Sequence, residues 1–329
     1  MKHIKKYSEI FENKKGISTR DALSDDQIDF LDKYTRGSWV VNPETGLVDI
    51  RGDFKLKKYQ SESFMGIKFG VVHGNFDFSR NNIKSLVGSP IHVEGSFSFE
   101  LNQVESLEGA PRKVGETFDC SYNPLKPLEG SPEEVENFYC THTHIGSLEG
   151  SPNKIRGDFN CSYNDELISL KGSPERVEGG FRCYNTGIKT LVGGPNWVGY
   201  TFNCSYNKLS NLKGSPRYVG DDFICLGKYL VSLDGIPDTI RGYVFLPDGN
   251  KFRGTREGMI EAMLTNRIMF NLISKIIKFE DLVDEVSKNP LLLNSIERFD
   301  KVLYEKILKI LGWDKMGTDL LRQLKNGII

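Results

Sequence analysis

The chain has 329 residues, with 43 Lys and Arg against 44 Asp and Glu, 38% hydrophobic residues, 33 Gly and 6 Cys. That length allows roughly two domains with substantial cores. A formal charge of -1 leaves no global field to hold a polyanion, so nucleic acid is not the expected partner.

The chain opens on MKHIKKYSEIFENKKG, whose charges recur every few positions and leave no apolar stretch of the kind a secretory signal requires. No apolar run approaches the roughly 18 residues of a spanning helix. A cytoplasmic protein without membrane contact is the expectation. Within residues 1–45, Ser24-Asp25-Asp26-Gln27 ahead of Ile28, Phe30 and Leu31 reads as a capping box that opens a short helix. This segment is predicted to be an N-terminal helical cap.

Residues 46–250 repeat. Pro90, Pro111, Pro132, Pro152, Pro174, Pro195, Pro216 and Pro237 recur at spacings of 21, 21, 20, 22, 21, 21 and 21, each with a Gly two positions before it and a Leu four before it. Phe recurs in step from Phe54 to Phe223, with Val244 in its place in the last coil, which extends the count to about ten coils. The unit V-x-G-x-F-x-C-S-Y-N-x-L-x-S-L-x-G-S-P is nearly complete at Val114–Pro132 and Ile155–Pro174. Its first half has period two, so Phe118 and Cys120 share one face of a strand while Thr117, Asp119 and Ser121 share the other. Twenty-one residues hold no room for a strand, two turns and a full helix. The return leg, punctuated by Gly-x-Pro, is therefore predicted to be extended. Identical strands then stack parallel, one per coil, over an inner layer of Phe, Cys, Val and Leu.

The segment F-x-C-S-Y-N-x-L, read as L-x-x-L-x-L-x-x-N-x-L with its Asn at the ninth position, resembles a leucine-rich repeat. The L-x-G-x-P return segment is similar to the short bacterial-effector type of that family. The opening L-S-D-D-Q-I-D-F-L-D-K-Y-T-R-G-S-W, with N-P-E-T-G-L-V-D-I-R-G-D-F and the G-S-P coils, also resembles uncharacterised repeat proteins of large tailed bacteriophages. The resemblance implies a curved β-solenoid or horseshoe whose exposed sheet binds another macromolecule, and it lends no catalytic residues. In the family the ninth-position Asn sits inside the turn. Here it is Asn81, Asn102, Asn123, Asn164 and Asn207, but Thr143, Thr186 and Lys228 replace it elsewhere, where looser coils are expected.

After Asn250 the punctuation stops. Met259, Ile260, Met263, Leu264, Phe270, Ile273, Ile276 and Ile277 follow helical spacing, and Asn289-Pro290 breaks it. Ile296, Phe299, Leu303, Ile307 and Ile310 then mark a second helix ending at Gly312, and Leu320, Leu321 and Leu324 a third. Residues 251–329 are predicted to be a C-terminal module of three or four helices, serving as a cap, an oligomerisation element or an effector domain. The fold class is thus a β-solenoid of about ten leucine-rich-repeat-like coils with one parallel sheet, a short N-terminal helical cap and a C-terminal α-helical module, α/β overall.

Little points to catalysis. The cysteines Cys120, Cys140, Cys161, Cys183, Cys204 and Cys225 hold one strand position in successive coils, a ladder of small buried hydrophobes in which in-register Cβ vectors disfavour disulfides. Cys140-Thr-His142-Thr-His144 is the one local grouping with metal-ligand chemistry, and no fourth ligand accompanies it, so no metal or other cofactor is expected. The five histidines, His3, His73, His92, His142 and His144, have no nucleophile motif around them, and no phosphate-binding glycine motif occurs. The chain is expected not to be an enzyme.

What remains is the exposed strand face. Its middle positions are Asp77, Ser98, Asp119, Tyr139, Asn160, Arg182, Asn203, Ile224 and Phe245, and beside them runs an aromatic stripe of Tyr122, His142, Tyr163, Tyr184 and Tyr206, with Tyr184 one residue out of step. Aromatics with polar tips favour interfaces. The expected function is a non-enzymatic protein-binding module, a phage protein that binds a host or defence protein in the host cytoplasm. The alternative is a structural or assembly protein that oligomerises through its C-terminal helices.

Overall fold

The structure is a computed structural model that describes residues 22–56, 63–255, 258–259, 262, 267–273, 277–316 and 318–326. The fold is a β-solenoid of about nine turns followed by a helical module. Two compact units succeed each other along the chain, Met1–Gly157 and Asp158–Ile329.

The first unit opens with helix α1 (Asp25–Tyr34), and its capping box is formed. The Ser24 Oγ accepts the Gln27 N–H at 3.3 Å and the Gln27 side chain accepts the Ser24 N–H at 2.9 Å. Phe30 and Leu31 bury the inner side, with the Phe30 ring 5.9 Å from Phe54. The cap is more than this helix. Strand β1 (Thr35–Val41) leaves it directly and pairs antiparallel with β2 (Val48–Lys55). Asn42 shapes the turn by accepting the Glu44 N–H at 3.0 Å. Gly37 faces Gly52 at φ 135° and 131°, where a Cβ on either would lie 2.1 Å from a backbone carbonyl oxygen of the other strand.

β2 supplies the first rung of the phenylalanine ladder. Phe54 pairs in register with Phe76, then Phe97, Phe118 and Phe138 follow in parallel. Their rings stack at 4.6, 5.9, 5.6 and 5.5 Å and are fully buried. In the second unit Phe159, Phe181, Phe202, Phe223 and Val244 repeat the arrangement. A parallel strand per coil is thus present as expected, and the structure adds a second ladder of two-residue strands. Val93 and Val114 lie on it in the first unit, and Val177, Val198, Val219 and Ile240 in the second. The period-two stretch V-x-G-x-F is bent at its Gly. A Cβ on Gly95 would sit 2.5 Å from Asn75 Oδ1 and 2.9 Å from the Gly74 carbonyl carbon, so the corner admits no side chain.

The Gly-x-Pro punctuation is a type II turn. In Leu128-Glu129-Gly130-Ser131 the Ser131 N–H donates to the Leu128 carbonyl at 3.1 Å, and Gly130 takes the positive φ, 99°, which that turn requires at its third residue. The ninth-position Asn lies inside the coil. Asn123 Nδ2 donates to the carbonyls of Phe99 at 2.9 Å and Cys120 at 3.1 Å, and its Oδ1 accepts the Val104 N–H at 3.1 Å.

The second unit's ladder ends on Tyr243–Phe245, which pairs antiparallel with Lys251–Arg253. Helices follow at Arg267–Ile273, Phe279–Lys288, Leu292–Phe299, Lys301–Leu311 and Thr318–Lys325. The break at Asn289-Pro290 is where the sequence puts it. The helix expected from Ile296 to Ile310 is two helices, because Asp300 leaves helical geometry (φ -148°, ψ 94°) and its side chain caps the second by accepting the Leu303 N–H at 2.9 Å. Five helices among the described residues therefore exceed the three or four predicted. Ile260, Met263, Leu264 and Ile276 of the expected pattern lie outside the described residues. Among those residues no helix is long and apolar enough to cross a membrane.

Candidate protein-binding face

In the first unit Asp77, Ser98, Asp119 and Tyr139 stand half-buried on the outer side of the Phe strands, as the alternation requires. Two of the aspartates are also committed to the backbone. Asp77 and Asp119 each accept the N–H of the serine two residues on, Ser79 and Ser121, at 3.0 Å. In the second unit Asn160 and Asn203 make the same bond to Ser162 at 3.1 Å and Ser205 at 3.0 Å. These Asx turns close each strand, so the recurring Asp or Asn has a structural reason independent of any partner. Arg182, which lacks that capacity, instead donates to Asp158 at 2.7 Å. Ile224 and Phe245 make the second unit's face apolar at its far end.

Next to each Asx turn the backbone turns left-handed. Arg80, Leu101, Tyr122 and His142 in the first unit, and Tyr163, Asn185 and Tyr206 in the second, all have φ between 53° and 62°. The stripe expected from the sequence is this column. It explains why Tyr184 is out of step: in that coil Asn185 takes the left-handed position, and Tyr184 precedes it. Asn tolerates this conformation better than Tyr does, which is the signal in the sequence that sequence reasoning missed. The side chains are exposed, Tyr122 by 43%, Tyr163 by 41% and Tyr206 by 62%. Tyr122 and His142 stack with ring centroids 4.1 Å apart, and Tyr163 meets Tyr184 edge-on at 5.0 Å.

The first unit's face also carries a shallow depression of about 540 Å³ lined by Lys55, Asp77, Ser79, Arg80, Ser98, Glu100 and Asp119. Lys55 pairs with Asp77 at 2.8 Å and Arg80 with Glu100 at 3.5 Å. Burial would raise the Asp77 carboxyl, but the Lys55 ammonium and the Ser79 bonds outweigh it and hold the group below its ordinary value. Asp119 moves the other way. Burial and the charges of Glu100 and Asp77 raise it above its ordinary value against the bonds from Ser121.

The remaining candidates are the cysteines and the pair His142 and His144. All six cysteines are buried, and none is joined in a disulfide. Burial pushes the thiols of Cys120, Cys161, Cys183 and Cys204 well above their usual range, which disfavours the thiolate form. Cys120 and Cys161 Sγ donate to the next rung's carbonyls, of Tyr139 at 3.2 Å and Arg182 at 3.4 Å. His142 lies in left-handed backbone against Tyr122, so strand alternation does not align it with His144. Among the described residues no group of three or more His, Cys, Asp or Glu is placed to hold a metal ion.

One surface feature lay outside the sequence reading. On the second unit's other ladder Arg176 lies 3.5 Å over the Trp197 ring, which stacks on Tyr218 at 5.2 Å with planes 3° apart. Trp197 and Tyr218 are in register only once the second ladder exists. Set against known proteins, the chain matches no protein-family model, no curated protein and no solved structure.

Proposed function

We propose that the chain is a non-enzymatic protein-binding module that uses the exposed strand face and its left-handed column. One observation carries this reading: tyrosine is kept, exposed, at positions whose backbone favours Gly or Asn. Each such residue costs roughly 1 kcal/mol in left-handed backbone. The rings nonetheless stay 41–62% exposed, so each presents an aromatic surface with a polar tip, and exposed tyrosines are favoured contact residues. The finer kinship we infer is with short leucine-rich repeats and with repeat proteins of large tailed bacteriophages, which makes a host or defence protein, met in the host cytoplasm, the expected partner. A second reading, assembly through the C-terminal helices, draws on Leu291, Val302 and Ile310, which are 49%, 78% and 55% exposed there. A sedimentation profile independent of concentration would remove it.

The binding reading is tested by affinity capture from host lysate with the intact chain and with Tyr122→Gly, Tyr163→Gly and Tyr206→Gly combined. Glycine suits the left-handed backbone, so stability should hold within about 1 kcal/mol per site while captured partners are lost. Unchanged capture by a folded variant would move the site off this column.

A further inference from the structure

The first unit's strand face has a charge pattern that selects a class of partner. Five ionisable groups line its depression, and four of them are paired: Lys55 with Asp77, Arg80 with Glu100. Asp119 is the fifth, and among the described residues no lysine or arginine pairs with it. Its acceptor capacity is used by Ser121 alone, through the N–H at 3.0 Å and the side chain. The neighbouring carboxylates of Asp77 and Glu100 add repulsion at this point. The face is a half-buried strand surface, and the left-handed column of Arg80, Leu101 and Tyr122 follows it in these coils, with Leu101 41% and Tyr122 43% exposed.

We propose that this face is the docking surface for an extended, basic segment of another protein, which sets a lysine or arginine side chain on Asp119 and packs its neighbours against Leu101 and Tyr122. The inference rests on the binding reading above and adds the partner's chemistry to it. Charge complementarity is the argument: a cation completes the alternation of charges across the depression, whereas an acidic segment meets three carboxylates and a neutral one leaves Asp119 uncompensated. The period of two in an extended segment suits such a face, since every second side chain points at it.

Fluorescence anisotropy of the full chain with a labelled alternating arginine–serine decapeptide, and with its glutamine–serine counterpart, tests this at low and moderate salt. The arginine peptide should bind at least about tenfold more tightly than the glutamine peptide. Asp119→Asn, which keeps the acceptor for Ser121 as Asn160 and Asn203 do in their coils, should weaken the arginine peptide about fivefold or more. Lys55→Gln should act in the opposite direction by releasing Asp77. Affinity indifferent to both substitutions, in variants whose melting curves show them folded, would overturn the proposal. So would carbodiimide coupling of Asp119 to Lys2, Lys5 or Lys6, which would give the face to the chain itself. The two readings fail separately. If the tyrosine variants lose partner capture while Asp119→Asn and Lys55→Gln leave it intact, the basic partner is refuted and the binding face stands. If the charge variants move the peptide affinity as stated but the tyrosine variants capture as before, the column is refuted and the basic site stands.

Discussion

At the scale of single residues, Asp77 and Asp119 occupy equivalent positions on one face and titrate in opposite directions. Asp77 lies beside Lys55, and its carboxyl is held low despite burial. A depressed carboxyl contributes stability that is present above its unfolded-state value and lost as pH falls through the folded one. Asp119 is raised by burial and like charge. A raised carboxyl contributes stability that is present below its unfolded-state value and lost as pH rises through the folded one, so ionised Asp119 works against folding at neutral pH. Asp119→Asn should therefore raise the melting temperature at pH 7, with the gain disappearing on acidification toward pH 3, whereas Asp77→Asn should lower it at pH 7 and cost little in acid. Thermal melts across that range decide the matter, and equal pH profiles for the two variants would contradict the assignment. Retaining a destabilising charge where Asn would serve the turn equally well fits a group kept for contact with a partner.

At the scale of the coil, the element is held by groups that reach from one rung to the next. Asn123 is the clearest case, since its amide joins the carbonyls of Phe99 and Cys120 and accepts the Val104 N–H in a site almost closed to water. Asn123→Ala leaves these groups unpaired and should cost about 3 kcal/mol by chemical denaturation. Asn123→Thr should cost about half as much. Thr143 and Thr186 show why: both are buried, and the Thr143 hydroxyl donates to the carbonyl of the cysteine three residues back, Cys140, at 3.3 Å. Thr186 is held by Asn207, whose Oδ1 accepts both its N–H and its hydroxyl, so this substituted coil is tied into the ladder. The repeat was legible because proline, glycine and phenylalanine each hold a fixed place in the coil. The corner at Gly95 and the second ladder were not, since a strand bent at a glycine keeps the same alternation as a straight one. The strand face was legible from Phe118 and Cys120 alone. The left-handed column beside it was hidden because tyrosine is not the residue such a backbone leads one to expect, and only Asn185 gave it away.

At the scale of the whole molecule, a parallel ladder has two edges that would pair with any other extended chain. Each unit covers one of them with an antiparallel strand, β1 in the first and Lys251–Arg253 in the second. In the first unit this cover depends on Gly37 facing Gly52, where backbone approaches so closely that a side chain is excluded. Gly52→Val places a branched side chain at φ 131° and 2.1 Å from the Arg36 carbonyl oxygen, so β1 must lift away from β2. The rung that carries Phe54 then loses β1 while keeping Phe76 on its other side, and the uncovered hydrogen-bonding edge becomes available to a second copy. Sedimentation velocity should show the variant associating with rising concentration, while Ser38→Val, on the exposed side of the same strand, stays as the wild type does. A Gly52→Val protein that loses the hairpin and yet shows no association would mean that helix α1, packed through Phe30 on Phe54, closes the end by itself.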